Sequence, residues 1–230
     1  MNLGQVNIFR KFLSKFKEII SQKYRREVLS EIICDEVSKL GNIKKNNKIK
    51  ILDYGSGYNP VLIKNVINKL SNKFKESSFE ACCYDFYTDD HLKLLNKNKN
   101  IIFKKIDDLE DSDHYDFCLI IDVLHHIGIN DDEKISKLIK KLKLKSRFII
   151  IKDHFQFGFF SNLLLIIMDF FSNYGDGTKI PKIYFNINAY EKLIFKNNLS
   201  EIKRINNIKY YKWYWPFINN EKFQFISILK

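Results

Sequence analysis

The chain predicts an α/β protein built on a doubly wound, mostly parallel sheet, and three observations carry that expectation. Strand-length apolar runs alternate with amphipathic helical stretches from about residue 48 to residue 152. The strand runs are apolar nearly throughout, as strands covered on both faces require. The first of them ends at Asp53 and passes into Gly55 and Gly57, two glycines spaced by one residue, before a helix opens near Pro60. Glycine takes positive φ without cost, so such a turn is sharp and leaves bare backbone for a ligand at the carboxyl end of a strand.

Each element follows from local pattern. Val6, Phe9, Phe12, Leu13, Phe16, Ile19 and Ile20 recur at helical spacing among Lys and Arg. Val28, Leu29, Ile32, Ile33, Val37 and Leu40 continue in the same way up to Gly41, which is placed to end a helix. A polar linker covers 42–48. Strands are expected at 49–53, 79–84, 101–105, 116–121 and 147–152, with helices at 60–73, 89–95 and 131–144. Pro60 suits the first turn of its helix, whose N–H groups lack partners in any case. Beyond residue 152 the alternation breaks. A very apolar helix over 157–171 leads to a loop over 172–186 holding Gly175, Gly177 and Pro181, then a helix over 188–196. Two last strands near 202–208 and 222–229 complete the chain, and no internal repeat is visible. The expected organisation is an N-terminal helical cap over 1–47 and an α/β domain over 48–230, with a lid insertion at about 155–186.

Composition narrows the classes. A chain of 230 residues with 45% hydrophobic residues can bury one substantial core. The formal net charge of +12 invites a nucleic-acid reading. Against it, the charge is almost all Lys, with Arg only at Arg10, Arg25, Arg26, Arg147 and Arg204, and it is spread evenly with Asn and Ile. That pattern reads as coding bias more than as a phosphate-binding stripe, so nucleic acid is the less favoured partner. Cys34, Cys82, Cys83 and Cys118 show no C-x-x-C spacing. They read as buried thiols of a reducing compartment, with neither a disulfide framework nor a zinc site implied, and no metal is expected. The first dozen residues lack the pattern of a signal peptide, and the apolar stretch 155–168 is short for a span, so a cytoplasmic protein is expected.

The glycine turn is not the dinucleotide fingerprint, because the sixth position counted from Gly55 is Pro60, and no phosphate loop is present. What remains is Asp53-x-Gly55-x-Gly57, which resembles motif I of the class I S-adenosylmethionine-dependent methyltransferases. The usual third glycine is replaced by Asn59, the next most tolerant residue of left-handed backbone. The resemblance covers about 48–230 and implies a Rossmann-like fold of seven strands with the last inserted antiparallel. It implies S-adenosylmethionine as cofactor, with Asp53, Gly55, Ser56 and Gly57 at the turn. Asp85, at the end of the second strand, is placed to accept both ribose hydroxyls, its bland alternative being a helix cap or a solvated acid. In the family an acidic residue like Asp107 commonly meets the adenine amino group, and its neighbour Asp108 stays open for that part. The run Tyr115 to Ile127 looks like the family's fourth strand followed by D-V-L-H-H, an element frequent among members acting on quinone precursors and other small molecules. It is unlike the N/D-P-P-Y/F signature of enzymes that methylate nucleobase amines. The resemblance places Asp122 by the methionine end of the cofactor and His125 or His126 at the mouth of the site. Adjacent histidines point in different directions, so one at most is expected to face the pocket.

Lys152-Asp153-His154 end the fifth strand, where open sheets place substrate groups. Asp153 and His154 can serve as an acid-assisted general base, with His126 as a second candidate, since an unperturbed imidazole titrates near ~6.5. An even alternative is that Asp153 caps a helix and His154 merely packs. The expected reaction is methyl transfer to a small, apolar acceptor by in-line displacement. Phe157, Phe159, Phe160, Phe170 and Phe171 must be buried, line a greasy pocket or touch lipid, and core packing accounts for most of them. With the basic first helix they also raise peripheral contact with an anionic membrane. Tyr210 to Trp215 offer a second aromatic surface. The rivals are an RNA methyltransferase and a non-catalytic binding module that keeps the fold; a nicotinamide dehydrogenase is contradicted by the missing glycine.

Overall fold

The computed structural model describes residues 23–41, 43, 47–57, 60–95, 100–110, 112–127, 131–173, 179–209 and 221–230. The expected first helix, Asn59, Gly175, Gly177 and the 210–215 aromatics lie outside the described residues.

Seven strands form one sheet in the order β3-β2-β1-β4-β5-β7-β6. They are β1 (Lys48–Tyr54), β2 (Ser78–Asp85), β3 (Ile101–Lys105), β4 (Tyr115–Ile121), β5 (Ser146–His154), β6 (Glu201–Asn206) and β7 (Gln224–Leu229). The first five pair in parallel. β7 runs antiparallel to both β5 and β6, as the resemblance implied. Strand order reverses at β1, whose neighbours are β2 on one side and β4 on the other. Such a reversal leaves a crevice at the carboxyl ends of the strands.

The helices divide between the two faces. On one, α1 (Lys23–Leu40) and α2 (Val61–Lys73) place Leu29, Ile33, Val37, Ile63, Val66, Ile67 and Leu70 on Ile49 and Ile51 of β1 and on Phe148 and Ile150 of β5. On the other, α5 (Asp132–Lys145) and α7 (Ile187–Lys196) bury Ile135, Ile139, Leu142, Tyr190 and Leu193 against Leu52, Ile149, Ile151 and Phe225. The period-2 alternation of a strand makes this division. α5 and α7 each start where a cap satisfies orphan N–H groups: Asp131 accepts from Lys134 N at 3.2 Å, and Asn186 from Ala189 N at 2.8 Å. At the other end of α1, Gly41 N donates to the Val37 carbonyl at 2.8 Å. The remaining helices are α3 (Asp89–Leu95), the single turn α4 (Leu124–Ile127) and α6 (Phe159–Asn173).

Two expectations are corrected here. β5 does not stop at Lys152 but carries Asp153 and His154 as strand residues, paired with Phe225 and Gln224 of β7. Alternation therefore turns Lys152 toward Asp122 and Asp153 toward α4, while His154 at the strand's end stays within 3.5 Å of Asp153 Oδ1. α6 is also not mainly core. Leu165 is buried, whereas Phe159 and Phe160 are 75% and 84% exposed and Leu163, Ile167 and Phe170 are over 40% exposed. Among the described residues no helix is long and apolar enough to cross a membrane.

Candidate active site

The glycine turn leaves β1 with Gly55 at φ +74° and Gly57 at φ +69°. Gly55 N donates to the Tyr84 carbonyl at 2.8 Å, tying the turn to the end of β2. A Cβ on Gly55 would stand 2.4 Å from Val123 Cγ2, whereas one on Gly57 would meet nothing within 4 Å. The two glycines therefore serve different ends: the first admits the chain after β4, and the second faces open space where a Cβ would stand. Asp85 holds the turn from the side, accepting from Gly57 N at 2.6 Å and from Phe86 N at 2.7 Å. Tyr87 donates to the Gly57 carbonyl at 2.8 Å and lies 2.5 Å from Ser56 Oγ. Beneath them Asp53 is 5% exposed, and burial together with the charge of Asp85 pushes its carboxyl up to about 7.

A cavity of about 170 Å³ opens beside this turn, lined by Arg25, Arg26, Asp53, Gly55, Ser56 and Asp122 among others. It is smaller than the roughly 300–1,000 Å³ usual for small-molecule sites. Arg25 of α1 lies across it and hydrogen-bonds Asp122 Oδ2. Asp122 follows β4 at φ +56°, a left-handed conformation that Asp tolerates better than most residues. Its other oxygen accepts from Lys152 Nζ. Lys152 is wholly buried, and burial with the nearby Arg25 charge holds its ammonium well below the usual lysine range.

Across the sheet, Asp153 meets α4. Its Oδ1 is 2.6 Å from His125 Nδ1, and its Oδ2 accepts from His125 N at 3.3 Å. Burial alone would raise this carboxyl, but the charge and hydrogen bond of His125 outweigh it and hold it well below the carboxylate range. Burial alone would lower His125, which is 2% exposed, yet Asp153 and Asp169 raise it to about 9. Asp169, on α6, stands 3.8 Å from His125 Nε2 and 3.7 Å from His126 Nδ1. His126 Nδ1 donates to the Lys179 carbonyl at 3.0 Å, and burial with the His125 charge lowers its pKa. His154 lies 3.6 Å from Asp122 Oδ1 and 3.5 Å from Lys152 Nζ; burial and the Lys152 charge drop it to about 3.

The sequence-derived residues thus fall into two neighbouring groups. Asp53, Gly55, Ser56, Gly57, Asp85 and Asp122 surround the cavity mouth, while His126, Asp153 and His154 belong to the polar nest beyond Asp122. Asp107 is exposed on the 3-10 turn Ile106–Asp108 after β3. Asp108 accepts from Lys105 N at 3.2 Å and is spent locally. Asp153 is shared: its Oδ1 is 2.6 Å from His125 Nδ1 and 3.5 Å from His154 Nδ1, and it also accepts from His154 N at 2.8 Å, so the expected Asp153–His154 contact is present with His125 as the nearer partner. His125 and His126 do not diverge: their rings stand 4.0 Å apart and both approach Asp169. Sequence reading missed Arg25, Arg26, His125 as the partner of Asp153, and Asp169. The Arg-Arg pair on an apolar-faced helix, and an acid interrupting the apolar run of α6, were the available signals.

No protein-family model matches the sequence, and no curated relative is similar enough to be detected. Solved structures do match. The plantazolicin methyltransferase BpumL, in complex with SAH, superposes with a TM-score of 0.57 at 13% identity, over 90% of this chain and 83% of that one. The magnesium protoporphyrin IX methyltransferase from Synechocystis PCC 6803, with bound SAH, gives 0.52 at 13% identity, over 89% and 83%. A putative S-adenosylmethionine-dependent methyltransferase from Listeria monocytogenes gives 0.51 at 15% identity, over 85% and 95%. The chain spans about half, 53%, of the mitomycin 7-O-methyltransferase MmcR, at TM-score 0.53 and 11% identity. At such identities likeness establishes architecture: the fold is the Rossmann-like methyltransferase fold.

Proposed function

We propose that the protein is an S-adenosylmethionine-dependent methyltransferase acting on a small, apolar acceptor. The observation that carries this reading is the glycine turn at the strand-order reversal, with Asp85 fastened to Gly57 N at 2.6 Å. That bond sets a carboxylate beside open backbone, where a nucleoside's ribose would meet it. Arg25 and Arg26 in the cavity wall match the carboxylate of a methionine moiety, and Asp122, once parted from Arg25, its amino group. When bound, the cofactor supplies an electrophilic methyl on a sulfonium.

The chain's own part is binding, alignment and proton handling. Holding two reactants in line recovers up to roughly 7–11 kcal/mol of the barrier, so alignment supplies most of the rate. A hydroxyl or carbon acid also needs a base. His154 is a poor one, since an imidazolium with a pKa of about 3 cannot retain a proton at neutral pH. His126 is the better candidate: its side chain is 21% exposed and its lowered pKa keeps it neutral. Segment 1–47 is proposed as a cap, since α1 lends Arg25, Arg26 and Leu29 to the cavity wall. Residues 155–186 are proposed as the lid. The exposed Phe157, Phe159 and Phe160, with Lys179 and Lys182 on the same segment, favour an apolar acceptor met at an anionic membrane surface.

The test is transfer of label from methyl-tritiated S-adenosylmethionine to a panel of apolar phenols, quinols and amines, with total RNA in parallel. Label in an apolar product supports the reading. Label in RNA alone overturns the acceptor class, and label in neither, with cofactor bound, leaves a binding module.

A further inference from the structure

We infer that His125, His126 and Asp169 form a binding site for a divalent transition-metal ion, beneath α6 and beside the cavity described above. The donors come from α4 and α6, so no sequence spacing announces them.

The distances separate coordination from hydrogen bonding. His125 Nε2 stands 3.8 Å from Asp169 Oδ1, and His126 Nδ1 stands 3.7 Å from Asp169 Oδ2. Both exceed hydrogen-bonding reach. One donor atom from each of the three residues lies within 4.8 Å of the others, a spread that an ion would draw in to the ligand–ligand edge of about 3.3 Å set by tetrahedral bonds of about 2.0–2.1 Å. By contrast His125 Nδ1 and Asp153 Oδ1, at 2.6 Å, are too close to be co-ligands and form a hydrogen bond. That bond places a carboxylate behind a ligating imidazole, the usual device for fixing its tautomer and directing Nε2 outward. Asp169 has the same kind of support, accepting from Asn173 Nδ2 at 2.6 Å on Oδ1. Asp169 Oδ2 is buried and accepts no hydrogen bond among the described residues. The nearby Tyr184 hydroxyl donates to the Leu165 carbonyl at 3.3 Å. A buried carboxylate oxygen with no hydrogen bond, facing two imidazoles, has the donor set a metal ion takes in place of the His125 proton.

Two imidazoles and a carboxylate suit Zn(II), Co(II), Fe(II) or Ni(II), and suit Mg(II) and Ca(II) poorly. The fourth position is left to water or to an oxygen of the acceptor. The ion has competitors. It must replace the proton that Asp153 and Asp169 favour on His125, and the bond from His126 Nδ1 to the Lys179 carbonyl; the base role given to His126 above belongs to the metal-free protein. Uptake therefore tightens as pH rises and releases protons, with Asp153, Asp169, His126, His154 and Tyr184 as the facing titratable groups.

The test is a calorimetric titration of chelator-treated, folded protein with Zn(II), Co(II) and Mg(II), with the Co(II) absorption spectrum recorded alongside. One equivalent of Zn(II) or Co(II), a Co(II) spectrum of tetrahedral intensity and no Mg(II) uptake are expected. Asp169→Asn and His126→Gln, folded by circular dichroism, should each weaken uptake at least tenfold. Asp85→Ala should bind metal unchanged while its affinity for the nucleoside cofactor falls, so the two readings fail separately. No saturable uptake by wild type overturns the site and leaves His125 as an imidazolium held between two carboxylates. Uptake unaffected by Asp169→Asn overturns it equally, as binding elsewhere.

Discussion

Replacing Gly55 by Ala tests the geometry of the turn quantitatively. The backbone at φ +74° charges an L-residue about 1–2 kcal/mol for left-handed conformation. The new Cβ would also stand 2.4 Å from Val123 Cγ2 and 3.3 Å from Cγ1, and such overpacking costs roughly 1–3 kcal/mol. The total is roughly 2–5 kcal/mol, a large part of the roughly 5–15 kcal/mol by which a domain is stable. Gly57→Ala is the internal control: φ is +69° but no atom lies within 4 Å of its Cβ, so only the backbone cost of about 1–2 kcal/mol applies. Urea unfolding followed by circular dichroism should rank wild type above Gly57→Ala and Gly57→Ala above Gly55→Ala. Val123→Ala should rescue part of the Gly55→Ala loss, giving a favourable coupling of roughly 1 kcal/mol or more in a double-mutant cycle. Equal stabilities for the two alanine variants, or no coupling to Val123, would refute the steric account of the first glycine.

Further outcomes are expected. Asp53 is ionised above about 4 when unfolded but holds its proton to about 7 when folded. Its contribution is therefore fully present below pH 4 and lost as pH rises through 7, by roughly 4 kcal/mol. Asp53→Asn should flatten that fall in a pH series of unfolding curves, and an unchanged slope would contradict the assigned burial effect. Asp85→Ala should weaken cofactor binding roughly tenfold to a hundredfold, as loss of charged hydrogen bonds to a ligand does; unaltered affinity by calorimetry removes the ribose assignment. Cys34, Cys83 and Cys118 are buried, and burial raises each thiol above its ordinary value. A thiol reagent should leave these three unlabelled until denaturant is added, and fast labelling of the native protein would count against the packing described. In single-turnover assays His126→Ala should slow methyl transfer more than His154→Ala; the reverse order would return the proton to His154.

The sheet was legible because its strands are covered on both faces and so carry continuous apolar runs, while the helices show their own period. Even the antiparallel last strand followed from the resemblance. What the sequence hid was which way the polar residues at the strand ends face. Lys152, Asp153 and His154 read as a polar tail, but as strand residues they alternate. Lys152 therefore meets Asp122, Asp153 meets His125, and His154 at the strand's end lies between Asp122 and Asp153. Asp169 looked like the end of an apolar stretch, since nothing local shows that it reaches back to α4, over forty residues upstream. The exposure of Phe159 and Phe160 was hidden for a similar reason. An apolar helix has the same letters whether its face meets a core or solvent, and only the packing of α6 distinguishes the two.

The central claim is that the glycine turn, Asp85 and the Arg25–Asp122 cavity hold a sulfur nucleoside. Isothermal titration of the purified protein with S-adenosylhomocysteine, and with NAD in parallel, tests it directly. Saturable binding of S-adenosylhomocysteine at one per chain, none of NAD, and binding at least tenfold weaker in Asp85→Ala are predicted. Absence of S-adenosylhomocysteine binding to the folded protein, or tighter binding of NAD, would contradict it and leave the turn as architecture alone.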